Sequence, residues 1–126
     1  MLRTPKDSNE HDALINMMVR HFSGQGFRNI KADIPDMPTP DLIYGTKKNH
    51  VPDLTADKNG IRIILEAETE NSIFDVHTAS QWSLFSDASL RSGGEFHVVV
   101  PKGSRDDVKT RAAELKVRID EIWTPR

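Results

Sequence analysis

The stretch His50–Ser72 reads HVPDLTADKNGIRIILEAETENS. Asn59-Gly60 stands between two apolar-patterned runs and is the strongest short-range signal for a hairpin with a type I′ turn. A two-residue loop makes Lys58 face Ile61, Asp57 face Arg62, Leu54 face Leu65 and Asp53 face Glu66. Leu54 and Ala56 then share a face with Ile61, Ile63, Leu65 and Ala67. The other face holds Val51, Asp53, Thr55, Asp57, Arg62, Ile64, Glu66 and Glu68. A three-residue loop would shift the register by one and place Leu54 beside Arg62 and Glu66, which scrambles the apolar face. The two-residue loop is therefore expected.

That register sets two carboxylates opposite each other, with Cβ atoms about 5 Å apart. Glu68, two residues beyond Glu66, points to the same side. Asp57 opposite Arg62 is how a solvated face normally arranges its charges. Asp53, Glu66 and Glu68 do the reverse, and like charges so placed repel unless a cation intervenes. Mg²⁺ suits such oxygen donors. A stripe of acids held apart by water is the other reading, and spacing alone does not separate the two.

Outward from the hairpin, Asp7 to Phe22 reads as a helix. Asp7 or Ser8 is expected to cap it, and Asp7 with Glu10 has capping-box spacing. Leu14, Ile15, Met18, Val19 and Phe22 make its apolar face. Arg28 to Ile34 alternates like a strand. Pro35 to Pro40, with three prolines, is an irregular excursion. Asp41 to Tyr44 is read as a short extended piece and Gly45 to His50 as a polar loop. Asp75 to Arg91 reads as a helix with Ala79, Trp82, Phe85 and Leu90 near one side. Ser92-Gly93-Gly94 stops it. Glu95 to Val100 looks like a buried strand. Asp106 to Val117 is a further helical pattern, with Val108, Ala112, Leu115 and Ile119 at helical spacing, and Asp120 to Thr124 a last strand. The expected order is α-β-β-β-α-β-α-β: an α/β domain with a mixed sheet and helices on its faces.

The chain has 126 residues, 37% hydrophobic and 29% charged. That suits a single domain spanning 1–126, with one ordinary globular core. The absence of cysteine excludes disulfides and thiolate metal sites and is compatible with a cytoplasmic location. No apolar run approaches a membrane span, and MLRTPKDSNE lacks the apolar core of a signal peptide. The net charge of −2 does not advertise nucleic-acid binding, although metal-neutralised carboxylates would be compatible with it. The five histidines have no H-x-x-x-H pair among them and no cysteine companions, so zinc is not expected.

Pro52-Asp53 followed by Glu66-Ala67-Glu68 on the next strand resembles the motif of the PD-(D/E)XK nuclease superfamily, which includes restriction endonucleases and Holliday-junction resolvases. The element order is similar to that family's core, and the similarity covers most of the chain. The resemblance implies a restriction-endonuclease-like fold and Mg²⁺- or Mn²⁺-dependent hydrolysis of phosphodiester bonds, with DNA as the partner; a homodimer is compatible with this reading. It implies that Asp53 and Glu66 hold the metal, joined by the Ala67 carbonyl. Glu68 stands where the family usually has lysine. Some restriction enzymes carry glutamate there and remain active, while inactive members also lose the lysine. Relatives often carry a glutamate on the first helix, which Glu10 matches, and some carry a glutamine on the helix after the third strand, which Gln81 matches. Glu68 would then bind a second metal or align the attacking water, with Gln81 holding that water. A non-catalytic nuclease-like module that binds nucleic acid or protein is the alternative, and a small-molecule hydrolase with a carboxylate metal site is a third reading. Lys47, Lys48, Lys102 and Arg105 lie in loops that could flank the site and hold a phosphate backbone.

Overall fold

The computed structural model describes residues 4–126; the first three residues of the N-terminal stretch lie outside it. The elements are α1 (Pro5–Gly24), β1 (Arg28–Ala32), β2 (Leu54–Lys58), β3 (Ile61–Ala67), α2 (Val76–Ser92), β4 (Glu95–Val99), α3 (Arg105–Leu115) and β5 (Glu121–Trp123). The strands form one sheet in the order β1-β2-β3-β4-β5. β1, β2 and β3 pair antiparallel, whereas β3, β4 and β5 run parallel.

Asn59 (φ 53°) and Gly60 (φ 78°) both take positive φ, as a type I′ turn requires. Leu54 pairs with Leu65, Asp57 with Arg62 and Lys58 with Ile61, the register of the two-residue loop. Leu54, Ala56, Ile63, Leu65 and Ala67 pack under Leu14, Ile15, Met18 and Phe22 of α1. Ile61, at the turn, is exposed. On the opposite face Ile64, Phe96, Val98 and Val100 pack against Trp82 and Phe85 of α2 and Val108 of α3. Each fully buried large side chain there contributes about 1.5–3 kcal/mol.

Several boundaries move. α1 starts earlier than Asp7, because Thr4 caps it (Asp7 N–H to Thr4 Oγ1, 3.1 Å) and Pro5 fits the first turn. Glu10 therefore lies beyond the capping turn. Asp41–Tyr44 contributes only a bridge between Ile43 and His50. The buried stripe of α2 is Thr78, Trp82, Phe85, Ser86 and Ser89, and Leu90 faces out.

Where α2 turns into β4, a Cβ on Gly94 would collide with the Arg62 carbonyl oxygen, which is backbone and cannot swing aside. Gly94→Ala is expected to lower stability by about 1–3 kcal/mol. Urea denaturation would test this, and an unchanged midpoint would contradict it.

Candidate metal centre

The carboxylates gather where the N-terminal end of β2 meets the C-terminal end of β3. In α/β sheets, ligands bind outside the carboxyl ends of parallel strands. One step beyond the last paired residues, the Asp53 backbone N–H donates to Glu66 Oε1 (3.2 Å). Asp53 Oδ2 accepts from the Ala67 N–H (2.9 Å). The Glu68 N–H donates to the Val99 carbonyl (3.0 Å), which carries the parallel pairing past the end of β3. The three acids are not a solvated stripe: Asp53 is 8% exposed, and Glu66 and Glu68 are each 2% exposed.

α1 reaches this point with His11. Its Nε2 lies 3.1 Å from Asp53 Oδ2, and its Nδ1 lies 3.2 Å from Asp12 Oδ1. One turn earlier Asp7 is buried. Its Oδ1 accepts from Asn71 Nδ2 (3.2 Å) and its Oδ2 from the Thr4 hydroxyl (2.9 Å). Glu10 is half-buried and is not among the residues that line the cleft described below.

α2 and the turn before it hold Glu68. The Ser72 hydroxyl donates to Glu68 Oε1 (2.7 Å) and the Trp82 indole N–H to Oε2 (3.1 Å). Thr78 Oγ1 lies 3.4 Å from Oε1, but is closer to the Ser72 carbonyl oxygen (2.7 Å), which takes its proton. Asp75, whose side chain accepts from the His77 N–H, caps α2.

The electrostatics follow from burial. Burial works to raise Asp53, but the hydrogen bond and charge of His11, the bond with Glu66 and the Ala67 N–H outweigh it and hold Asp53 below the usual carboxylate range. Glu66 is pushed well above its ordinary range, first by burial and then by the charges of Asp53 and Glu68. Glu68 is pushed up to about 7, again by burial first and Asp53 second, against the Ser72 and Trp82 bonds. Burial therefore favours the protonated form of Glu66, while Asp53 is the more acidic member of the pair.

Asp53 opens into a cleft of about 260 Å³ lined also by Asp7, Asp33, Asp75, His77 and Gln81. Gln81 is therefore brought to the site. Among the described residues no group of three or more His, Cys, Asp or Glu is arranged as a ready-made metal cage. The donor chemistry nonetheless fits a hard divalent cation: oxygen ligands only, two of them crowded, beside an acidic cleft. Sequence reasoning missed His11, Asp7, Ser72 and Trp82. His11 and Asp7 do continue the apolar stripe of α1 backwards at three- and four-residue steps from Leu14 and His11.

No family model and no curated protein matches the chain. Among solved structures it is similar to the crystal structure of AF1548, a protein of unknown function, with a TM-score of 0.53 and 15% sequence identity. The alignment covers 87% of this chain and 54% of that one, so the chain spans about half of AF1548's length. At that identity the likeness is one of fold. No helix among the described residues is long and apolar enough to cross a membrane.

Proposed function

We propose that this chain is a divalent-metal-dependent nuclease of restriction-endonuclease-like fold acting on DNA. The observation that carries the proposal is the abutting pair Asp53–Glu66, buried at the sheet end and open through Asp53 to an acidic cleft. Asp53 and Glu66 would hold Mg²⁺ or Mn²⁺. When bound, the ion would lower the pKa of a coordinated water and neutralise charge developing on the scissile phosphate. His11 fixes the Asp53 carboxylate from the α1 side, and the Ala67 N–H fixes it from the sheet. Glu66 must release its proton for the cation to be held, so binding and deprotonation are linked. Gln81 lines the cleft, where it can orient a water or a phosphate oxygen.

One observation favours a non-catalytic module instead. Both Glu68 oxygens are committed to Ser72 and Trp82, so this acid anchors α2 to the end of β3 and supplies no positive charge in place of the family's lysine.

Metal linkage tests the proposal. A saturating ligand stabilises by about 2.7 kcal/mol at a hundred times its Kd, or roughly 10 °C in Tm for a domain of this size. Mn²⁺ is expected to raise the Tm of the wild type by about that amount and that of Asp53→Asn by far less. Equal shifts in both proteins would count against a site at Asp53.

A further inference from the structure

Beside the acidic cleft runs a second, larger depression of opposite character. It has a volume of about 790 Å³ and lies between the loop Tyr44–Lys48 and α2. The loop is built rather than loose. The Ile43 and His50 backbones bond each other in both directions (2.9 and 3.1 Å), and the Gly45 N–H donates to Asn49 Oδ1 (3.0 Å). A Cβ on Gly45 would collide with the Lys48 carbonyl oxygen and press on Leu84 of α2, so the loop sits directly on the helix.

The groove carries Lys47, Lys48 and Arg91 against a single acid, Asp87, which pairs with Arg91 (3.3 Å). Its rim holds Tyr44, 74% exposed, and Val76, 81% exposed. α2 joins the two depressions: Val76 and Ser80 line the groove, while His77 and Gln81 line the cleft. The join is packed. His50 Nε2 lies 2.9 Å from Ser80 Oγ, and the His50 and His77 rings meet edge-on at 5.3 Å. One surface is thus divided into an acidic cleft suited to a cation and an adjoining basic track with a bare aromatic ring.

We propose that this groove binds a single-stranded segment of DNA leading into the cleft, with Lys47 and Lys48 on phosphates and a base stacked on Tyr44. The proposal rests on the nuclease reading and names its substrate form. Grooves that take single strands combine backbone-tracking cations with aromatic platforms. A base inside a duplex has both faces stacked on its neighbours and cannot offer one to Tyr44, whereas an unpaired base can.

The test is fluorescence anisotropy of the full chain with a short labelled oligothymidine strand, in EDTA, over a salt series. The wild type is expected to bind the strand more tightly than a duplex of equal length. The double variant Lys47→Ala, Lys48→Ala is expected to lower the salt slope by about 1.4, two contacts at ~0.7 each. Tyr44→Ala is expected to weaken binding about tenfold, and Tyr44→Phe, which keeps the stacking face, to restore it. The groove assignment is overturned if the wild type does not bind the strand, if the duplex binds as tightly, or if the variants keep the wild-type affinity and slope. The Mn²⁺ shift in Tm, read on the same preparations, separates the two ideas. Strand binding without that shift leaves the groove and removes the metal site. A shift that depends on Asp53, without strand binding, does the opposite.

Discussion

Asp53→Ala and Glu66→Ala are each expected to reduce Mn²⁺-dependent DNA cleavage by roughly 10³-fold or more, which corresponds to ~4 kcal/mol of transition-state stabilisation. Each variant removes an oxygen donor from the buried pair that would hold the ion. The other acid of the motif, Glu68, is already held by Ser72 and Trp82. His11→Gln should cost less, about 10–100-fold, because it removes only the group that orients Asp53. Glu68→Lys should not confer the chemistry of the lysine-bearing nucleases that the motif resembles. An ammonium there would face the Trp82 N–H, donor against donor, and would lose the partner that Ser72 now has. Purified wild type and variants, assayed on junction, duplex and single-stranded DNA with circular dichroism as the folding control, decide the matter. Cleavage that survives Asp53→Ala would remove the residue assignments, and a wild type inactive on every substrate would leave the binding-module reading.

These expectations concern a site that was only partly legible in the sequence, for a physical reason. Asn59-Gly60 admits one comfortable turn, and a two-residue period then fixes every facing pair, so Asp53, Glu66 and their shared position follow from local rules. What covers that position does not follow. Glu68 reads equally well as solvated or buried until α2 is known to bring Trp82 across the end of β3. The acid expected on α1 shows the same limit. Periodicity defines the buried face of a helix but not how far along it the sheet extends, so it does not single out His11 and Asp7 as the buried polar residues of α1. Apolar spacing on α2 puts Ala79 and Leu90 near the same side as Trp82 and Phe85. The actual stripe uses Thr78, Ser86 and Ser89, small polar residues that turn their hydroxyls to the helix, to the loop before it or to the Arg118 N–H. Tyr44, Val76 and the two lysines are separated by up to about a quarter of the chain, and only the tertiary packing at Gly45 brings them to one groove.

The metal-free protein is expected to lose stability as pH rises from 5 to 8, and Glu68→Gln to remove much of that loss. The sign follows from proton binding. Glu68 titrates near 7 when folded and near 4.5 in its ordinary state, so through that window the native state holds a proton that the unfolded chain has released. Stability is therefore highest at the acid end, falls between about pH 4.5 and 7, and stays low above. Glu66 is raised for the same reason and adds to the decline. Asp53, held below its ordinary range, works the other way, but its contribution is complete by pH 5 and does not change in this interval. His50, lowered chiefly by burial and then by His77 and Lys48, also opposes the decline, since the unfolded chain binds its proton more readily. The informative quantity is therefore the difference between wild type and Glu68→Gln, in which His50 largely cancels. Gln is neutral throughout, its oxygen can accept from the Trp82 N–H, and its amide can donate to the Ser72 hydroxyl. At pH 5 the two proteins should be similar, while at pH 8 Glu68→Gln should be the more stable by on the order of a few kcal/mol. Urea denaturation in EDTA at both pH values measures it. A wild type that gains stability over Glu68→Gln on going from pH 5 to pH 8 would mean that the Ser72 and Trp82 donors outweigh burial and that Glu68 is ionised when folded. With Mn²⁺ added the decline should shrink, because Asp53 and Glu66 would hold the cation in their deprotonated forms and would bind it more tightly as the pH rises.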